Sequence, residues 1–334
     1  MAVVYNPITL PASKMIATMT SLIGEVRFND TLKPSDIVNE LVDSSRVGKV
    51  EYGKGIVFTF KLDTQPVKDL SETSTVTKIT KPQLAQETIE IDNYKFVPIS
   101  VSEILTRDAV LNGNAIDTFF SFVMSLLEDT AQFHLFDEVN ELYQSWVPGK
   151  PTQTIQIDQI DVSDLTGLER NEALKWNATE IAKVMRKTMN NMKIKNAKYT
   201  DKDTYVDSND GQTKSVISAL TGKDMKLVFN DTYYTNFLAD AMASLYHSDE
   251  VGKMIPDGQK IVLPEDAVSE ENKNVIAWLS HKDKFALADF YAVTLAFKDA
   301  STTYTNTFYH FAYGVGVFKY APGVRFVANV VQIN

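Results

Sequence analysis

A chain of 334 residues with 44% hydrophobic content can bury a sizeable core in one or two domains. A formal charge of −10 and only six arginines, none close together, leave no basic stripe of the kind that grips nucleic-acid phosphates. Cysteine is absent, which excludes disulfides, thiol catalysis and cysteine-ligated metals.

No segment approaches the roughly 18 consecutive apolar residues of a membrane span. Met1–Gly24 lacks the charged and apolar blocks of a signal peptide, so a soluble protein made in a cytoplasm is expected. Pro7, Pro11 and Pro34 interrupt the first 48 residues. These read as an arm with one short helix through Ile37, Val38, Leu41 and Val42. From Val50 to Val101 the character turns to strand. Ile56–Phe60 is β-rich, and Thr88–Ile91 and Tyr94–Val97 flank Asp92-Asn93, which predicts a tight hairpin. Asp63–Gln86 is polar, so the region reads as a long β-ribbon with a polar tip. Such a ribbon is marginal alone and needs a surface to lie against.

The strongest helix follows. Asn114 or Asp117 can cap it, and Pro148-Gly149 ends it. Phe119, Phe120, Val123, Met124, Leu127, Phe133, Phe136, Val139, Leu142 and Tyr143 form a wide apolar stripe. From Ala115 to Trp146 it would span about 45 Å, far longer than an average helix. Thr154–Ile157 is strand-like. A second helix carries Trp176, Ile181, Val184, Met185, Thr188 and Met192 on one side, and residues 199–216 form an exposed loop. Met225–Phe229 is a strand, after which Asn230-Asp231 caps a third helix with Tyr234, Phe237, Leu238, Ala241, Met242 and Leu245. The remainder is strand: Val275–Leu279, Lys284–Leu287, Thr303–Tyr320 and Val324–Val331. Strands and helices mix without regular βαβ alternation, so the class is α+β.

Catalytic signatures fail. There is no G-x-S-x-G, no supported S-x-x-K and no H-E-x-x-H. His134, His247, His281 and His310 are scattered, and each reads as a packed or surface histidine. The acidic loop of Asp201, Asp203, Asp207, Asn209, Asp210 and Gly211 does not fit an EF-hand, because Gln212 stands where a bidentate glutamate is needed. A solvated loop is the simpler reading, with a weak cation site at 201–211 the alternative. Gly314-Val315-Gly316 lacks the third glycine of a phosphate loop and lies in a strand, where close packing or a bulge is expected. Tyr304, Phe308, Tyr309, Phe311, Tyr313, Phe318 and Tyr320 lack the basic neighbours of a base-stacking platform and read as core or interface lining. Lys183, Arg186, Lys187, Lys193, Lys195 and Lys198 read as a solvated helix face. No metal or cofactor is expected. The positive signal is shape: arm, ribbon and beam cannot bury their faces in one compact monomer, so copies of the chain must cover them. A structural building block, not an enzyme, is the expectation.

This succession resembles the major capsid proteins of tailed bacteriophages, the HK97-like fold, and its phi29-type podoviral branch, where a similar lysine-rich helix precedes the axial-domain strand. The matching parts include the arm, the ribbon, the beam and Met225–Asp231 as the axial strand entering a helix. Ala277–Phe285 matches as a strand–turn–strand, and an aromatic strand ends Tyr313-Gly314-Val315-Gly316-Val317 before Pro322-Gly323-Val324. The resemblance implies an N-terminal arm at 1–48, an extended β-hairpin loop at 49–104, and a peripheral domain at 105–198 with its spine helix at 115–146. An axial domain at 199–290 and C-terminal strands at 291–334, returning to the peripheral domain, complete it. It further implies hexamers and pentamers closing an icosahedral virion shell, assembled in a bacterial cytoplasm, around double-stranded DNA without sequence-specific binding. A portal and a separate scaffolding protein are implied as partners, since the chain has no long charged helical scaffolding segment. Nothing marks an acceptor for Lys68, Lys78 or Lys81, so a shell without cross-links is expected. The expected inter-subunit contacts are Phe58, Phe60, Tyr94 and Phe96 on the ribbon, Asp249, Glu250 and Lys253 at the axial tip, and Arg325. An enzyme or ligand-binding protein with a pocket under the 199–216 loop, and an encapsulin-like bacterial compartment, remain the alternatives.

Overall fold

The computed structural model describes residue 41 and residues 55–61, 84–102, 113–194, 196–206, 211–220, 222–235, 259–298 and 304–331. The arm apart from Leu41, the ribbon tip, His247, the third helix beyond Thr235, and Asp249, Glu250 and Lys253 lie outside them.

The predicted beam forms helix α1 (Gly113–Ser145), whose 33 residues span about 50 Å. It is already helical at Gly113, so neither Asn114 nor Asp117 is its cap. Its buried stripe steps by four through Val123, Leu127, Ala131, Leu135, Val139 and Tyr143, because residues four apart share a helix face. That stepping bypasses Phe133, expected inside; it is exposed, as are Phe122 and Leu126.

The ribbon is β1 (Gly55–Lys61) paired antiparallel with β2 (Leu84–Glu90), from Gly55↔Glu90 to Lys61↔Leu84. Asp92-Asn93 does not close the expected tight hairpin. Instead β3 (Asn93–Ser102) leaves the ribbon and pairs with β11 (Tyr304–Val317), which also pairs with β10 (Phe285–Lys298). Burial explains the difference: Ile89 and Ile91 pack against Ala286, Ala288, Ala312 and Phe318, so the chain crosses this sheet rather than doubling back.

A second sheet has five strands in the order β4-β12-β9-β7-β8. Here β4 is Thr154–Ile160, β7 Met225–Asn230, β8 Gln259–Leu263, β9 Val275–His281 and β12 Gly323–Val331. The outer strands β4 and β8 run parallel to their neighbours, and the remaining pairs are antiparallel. The expected strand–turn–strand at Ala277–Phe285 forms, yet its strands join different sheets, β9 the five-stranded and β10 the three-stranded. The chain makes the reverse change between β11 and β12.

Helix α1 lies where the sheets meet. Leu135, Val139, Tyr143 and Trp146 pack with Val228, Ile261, Val275 and Trp278 of one sheet and with Phe285, Leu287, Phe311 and Tyr313 of the other. Helix α2 (Gly167–Met192) covers the opposite face of the five-stranded sheet, with Ile181, Met185, Met189 and Met192 against Leu227, Phe229, Leu279 and Phe326. A register shift opposite Phe326/Val327 skips Ile276, so Ile276 and Ala277 both join the α2 side. Trp176, expected on the inner stripe, is 41% exposed. Asn230 caps the third helix as predicted, its Oδ1 accepting the Thr232 N–H at 3.2 Å.

Residues 199–216 are not simply an exposed loop. β5 (Thr204–Val206) pairs with β6 (Thr213–Ser215), and Tyr199, Thr200, Tyr205 and Val216 are buried.

Candidate assembly surface

A polar node fixes where the ribbon leaves the body. Lys284, wholly buried in the turn between β9 and β10, donates from Nζ to Asp201 Oδ2 and the Ala321 carbonyl, each at 2.9 Å, and to the Phe318 carbonyl at 3.3 Å. Its ammonium also lies 4.8 Å above the Trp146 ring. Three N–H donors thus find three acceptors, which is what a buried cation requires. Burial still pulls the Lys284 pKa down, with Asp201 opposing. The other Asp201 oxygen accepts from Gln153 Nε2 at 2.7 Å, and Gln153 also reaches the carbonyls of Tyr199 and Gly323. A Cβ on Gly323 would meet Lys284 Cδ at 2.5 Å, so glycine there makes room for the lysine.

The ribbon is seated on this node. Glu87 of β2 accepts the Tyr320 N–H at 3.4 Å. Burial raises its carboxyl pKa above the ordinary value, against the pull of the Tyr320 and Lys319 N–H groups and of Lys202 and Lys284. A Cβ on Gly316 would stand 2.8 Å from Ile89 Cγ1. The Gly314-Val315-Gly316 run is therefore a close-packing device, one of the two readings its sequence allowed.

Beyond the ribbon base the same face of the three-stranded sheet is open. Alternate β11 residues Tyr309, Phe311 and Tyr313 point to α1, where the Tyr313 hydroxyl lies 2.8 Å from His134 Nε2. Phe308 and His310 take the other face, flanked by Tyr94 (46% exposed) and Phe96 (52%) of β3 and by Leu295 and Phe297 of β10. The Tyr94 hydroxyl lies 2.7 Å from His310 Nδ1 with the rings stacked, and Phe96 meets Phe308 edge-on at 5.8 Å. A contiguous exposed aromatic patch marks a contact surface.

Of the contacts expected from sequence, Tyr94 and Phe96 come together on this face, although on β3 and not on the ribbon. Phe58 and Phe60 lie on β1, opposite Glu87 and Ala85. Arg325 sits in β12 between Thr154 and Trp278. It is half-buried, its Nε has no hydrogen-bond partner among the described residues, and burial lowers its pKa. Phe308, His310, Leu295 and Phe297 were missed as a group. The period-2 alternation along β11 separates 308 and 310 from 309 and 311, and was the signal available. In the acidic loop Asp201 turns inward to Lys284 and Asp203 pairs with Lys150. Among the described residues no cluster of three His, Asp or Glu could hold a metal, and no helix is long and apolar enough to cross a membrane. Beneath the 199–216 segment Tyr205 and Val216 pack with Tyr320 where a pocket was the alternative.

The sequence profile of the Phi29-like phage major capsid protein family matches residues 39–327. No curated protein matches the chain. The capsid structure of Staphylococcus phage Andhra is similar at TM-score 0.56 and 9% identity, covering 91% of this chain and 84% of that one. That of cyanophage P-SCSP1u is similar at TM-score 0.51 and 12% identity, covering 92% of each. Likeness at such identity speaks for the fold, which is the HK97-like α+β fold, and neither the pocket nor the encapsulin alternative gains support. With nearly the whole described chain inside the family match, the protein belongs to the Phi29-like phage major capsid proteins and builds the virion shell from copies of itself.

Proposed function

We propose that the chain closes an icosahedral shell of hexamers and pentamers around double-stranded DNA, with no catalytic role. A separate scaffolding protein and a portal act in its assembly within the bacterial host. In this reading 1–48 is the arm, 49–104 carries the extended loop, 105–198 and 291–334 form the peripheral domain, and 199–290 forms the axial domain, the two domains sharing the five-stranded sheet. The observation that carries it is the half-covered sheet face. The chain's own β2 lies over Ala286, Ala288 and Ala312, while Tyr94, Phe96, Leu295 and Phe297 stay exposed on the same side. Ribbons and arms of neighbouring copies cover the open half. Ordering such segments costs about 1–2 kcal/mol per residue, so they settle as the lattice forms and early contacts stay correctable. Phe58, Phe60, Asp249, Glu250, Lys253 and Arg325 belong to the same set of contacts; a neighbour's carbonyl or carboxylate would satisfy the Arg325 Nε.

The test is a Tyr94→Ser, Phe96→Ser double variant expressed with the neighbouring phage gene products. Particles counted by negative-stain microscopy should disappear while circular dichroism and Tm stay near wild type. Shells in normal number from this variant would remove the open face from the assembly surface.

A further inference from the structure

No part of the described chain covers the outward side of α2. Lys175, Lys183, Lys187 and Lys193 are exposed there, and at 3.6 residues per turn they fall within about a third of the helix circumference. Trp176 shares that arc with 41% of its surface exposed, opposite the buried stripe of Ile181, Met185, Thr188 and Met192. From Lys175 to Lys193 the ridge runs about 27 Å.

Its complement is in the same chain. Asp137 and Glu141 of α1 line a groove whose other wall carries Asp266 and Glu271, and all four are exposed. The groove is built, not incidental. Asn140 Nδ2 donates to the Ala267 carbonyl at 2.6 Å, and Asn272 Nδ2 donates to the Gln144 carbonyl at 3.1 Å, which ties the two walls together. The ridge and the groove cannot meet within one molecule, because α1 and α2 lie on opposite faces of the five-stranded sheet.

We infer that the basic α2 ridge of one copy docks in the acidic α1 groove of the next, a heterologous contact set by charge with Trp176 as its apolar anchor. This rests on the shell reading above and names one of its contacts. Two different patches meeting head to tail generate rings when the rotation closes, as a capsomer requires. Exposed ion pairs are individually weak, so the charges choose partner and register while the buried aromatic contributes most of the affinity. Packaged nucleic acid is the less favoured occupant. The chain's net charge of −10 repels a long polyanion as a whole, whereas the groove is a local patch.

The experiment compares K183E/K187E, E141K/E271K and the fourfold variant carrying both pairs, expressed with the neighbouring gene products. Particles are counted by sedimentation and microscopy, and folding is checked by Tm. Each double variant should lose roughly tenfold or more in particle yield, since like charges then face each other. The fourfold variant should recover most of it. Double variants that assemble normally, or a fourfold variant no better than either, overturn the contact. So does K183E/K187E if it yields normal shells with less DNA, which would assign the ridge to nucleic acid. A wild-type chain that forms no shells in this system overturns the shell reading and the contact together.

Discussion

The backbone carbonyl of Glu90 fills the space that a side chain on Gly314 would need. The ribbon base and β11 therefore approach as closely as a chain without a Cβ permits. Gly314→Ala should force β2 off the sheet and cost about 1–3 kcal/mol, the usual penalty of overpacking. Urea unfolding measures the loss, and limited proteolysis should cut the ribbon sooner. An alanine variant as stable as wild type would show that the contact can relax without cost.

Lys284→Met keeps the length of the stem and removes the cation, leaving the Asp201 carboxylate buried beside Gln153 and Trp146. Stripping one partner from a buried pair costs about 3–5 kcal/mol. Adding Asp201→Asn should recover part of this, because the buried charge is then gone. The double-mutant cycle should give a coupling of about 1–3 kcal/mol; strict additivity would mean that the pair does not act as a unit.

Glu87 offers a pH test. Burial raises its pKa in the folded protein above the ordinary 4.5, so the folded state binds the proton more tightly than the unfolded chain. Stability from this group is then full below about 4.5 and falls as pH rises through the folded value. Glu87→Gln keeps an acceptor for the Tyr320 N–H without the charge. It should raise Tm at pH 8 and leave it unchanged at pH 4. A gain of equal size at both pH values would trace the effect to packing.

Much of this was legible in the sequence because period and length carry it. The 33-residue helix, the ribbon strand at Ile56–Phe60 and the aromatic strand at Thr303–Tyr320 announce themselves through runs of one period. Which strands pair is a different kind of information. Asp92-Asn93 has the chemistry of a hairpin turn, and only the burial of Ile89 and Ile91 on distant alanines decides that the chain crosses to another sheet. β8 escaped notice because Gln259-Lys260 dilutes three apolar residues. The node was hidden for the same reason: Lys284 and Asp201 are 83 positions apart, and no local pattern links a lysine in a turn to an aspartate in an acidic stretch. The open aromatic face was half visible, since Tyr94 and Phe96 stood out while their partners on β10 and β11 read as generic lining.

Tyr143 provides a last check, on the seating of Leu41. Its hydroxyl donates to the Leu41 carbonyl at 3.1 Å, and its ring stacks on Phe285 at 3.9 Å. Tyr143→Phe keeps the stack and removes this hydrogen bond, at a cost of about 0.5–1.5 kcal/mol. Hydrogen exchange should accelerate around Leu41 first. Uniform acceleration across the protein would mean that the bond supports the whole core and not this attachment.

Trp146 at the end of the long helix, Asp201 in the hairpin segment and Lys284 between two sheets converge on one buried spot, and Glu87 sits beside it. A tug on the ribbon therefore reaches both sheets as torque about that fulcrum.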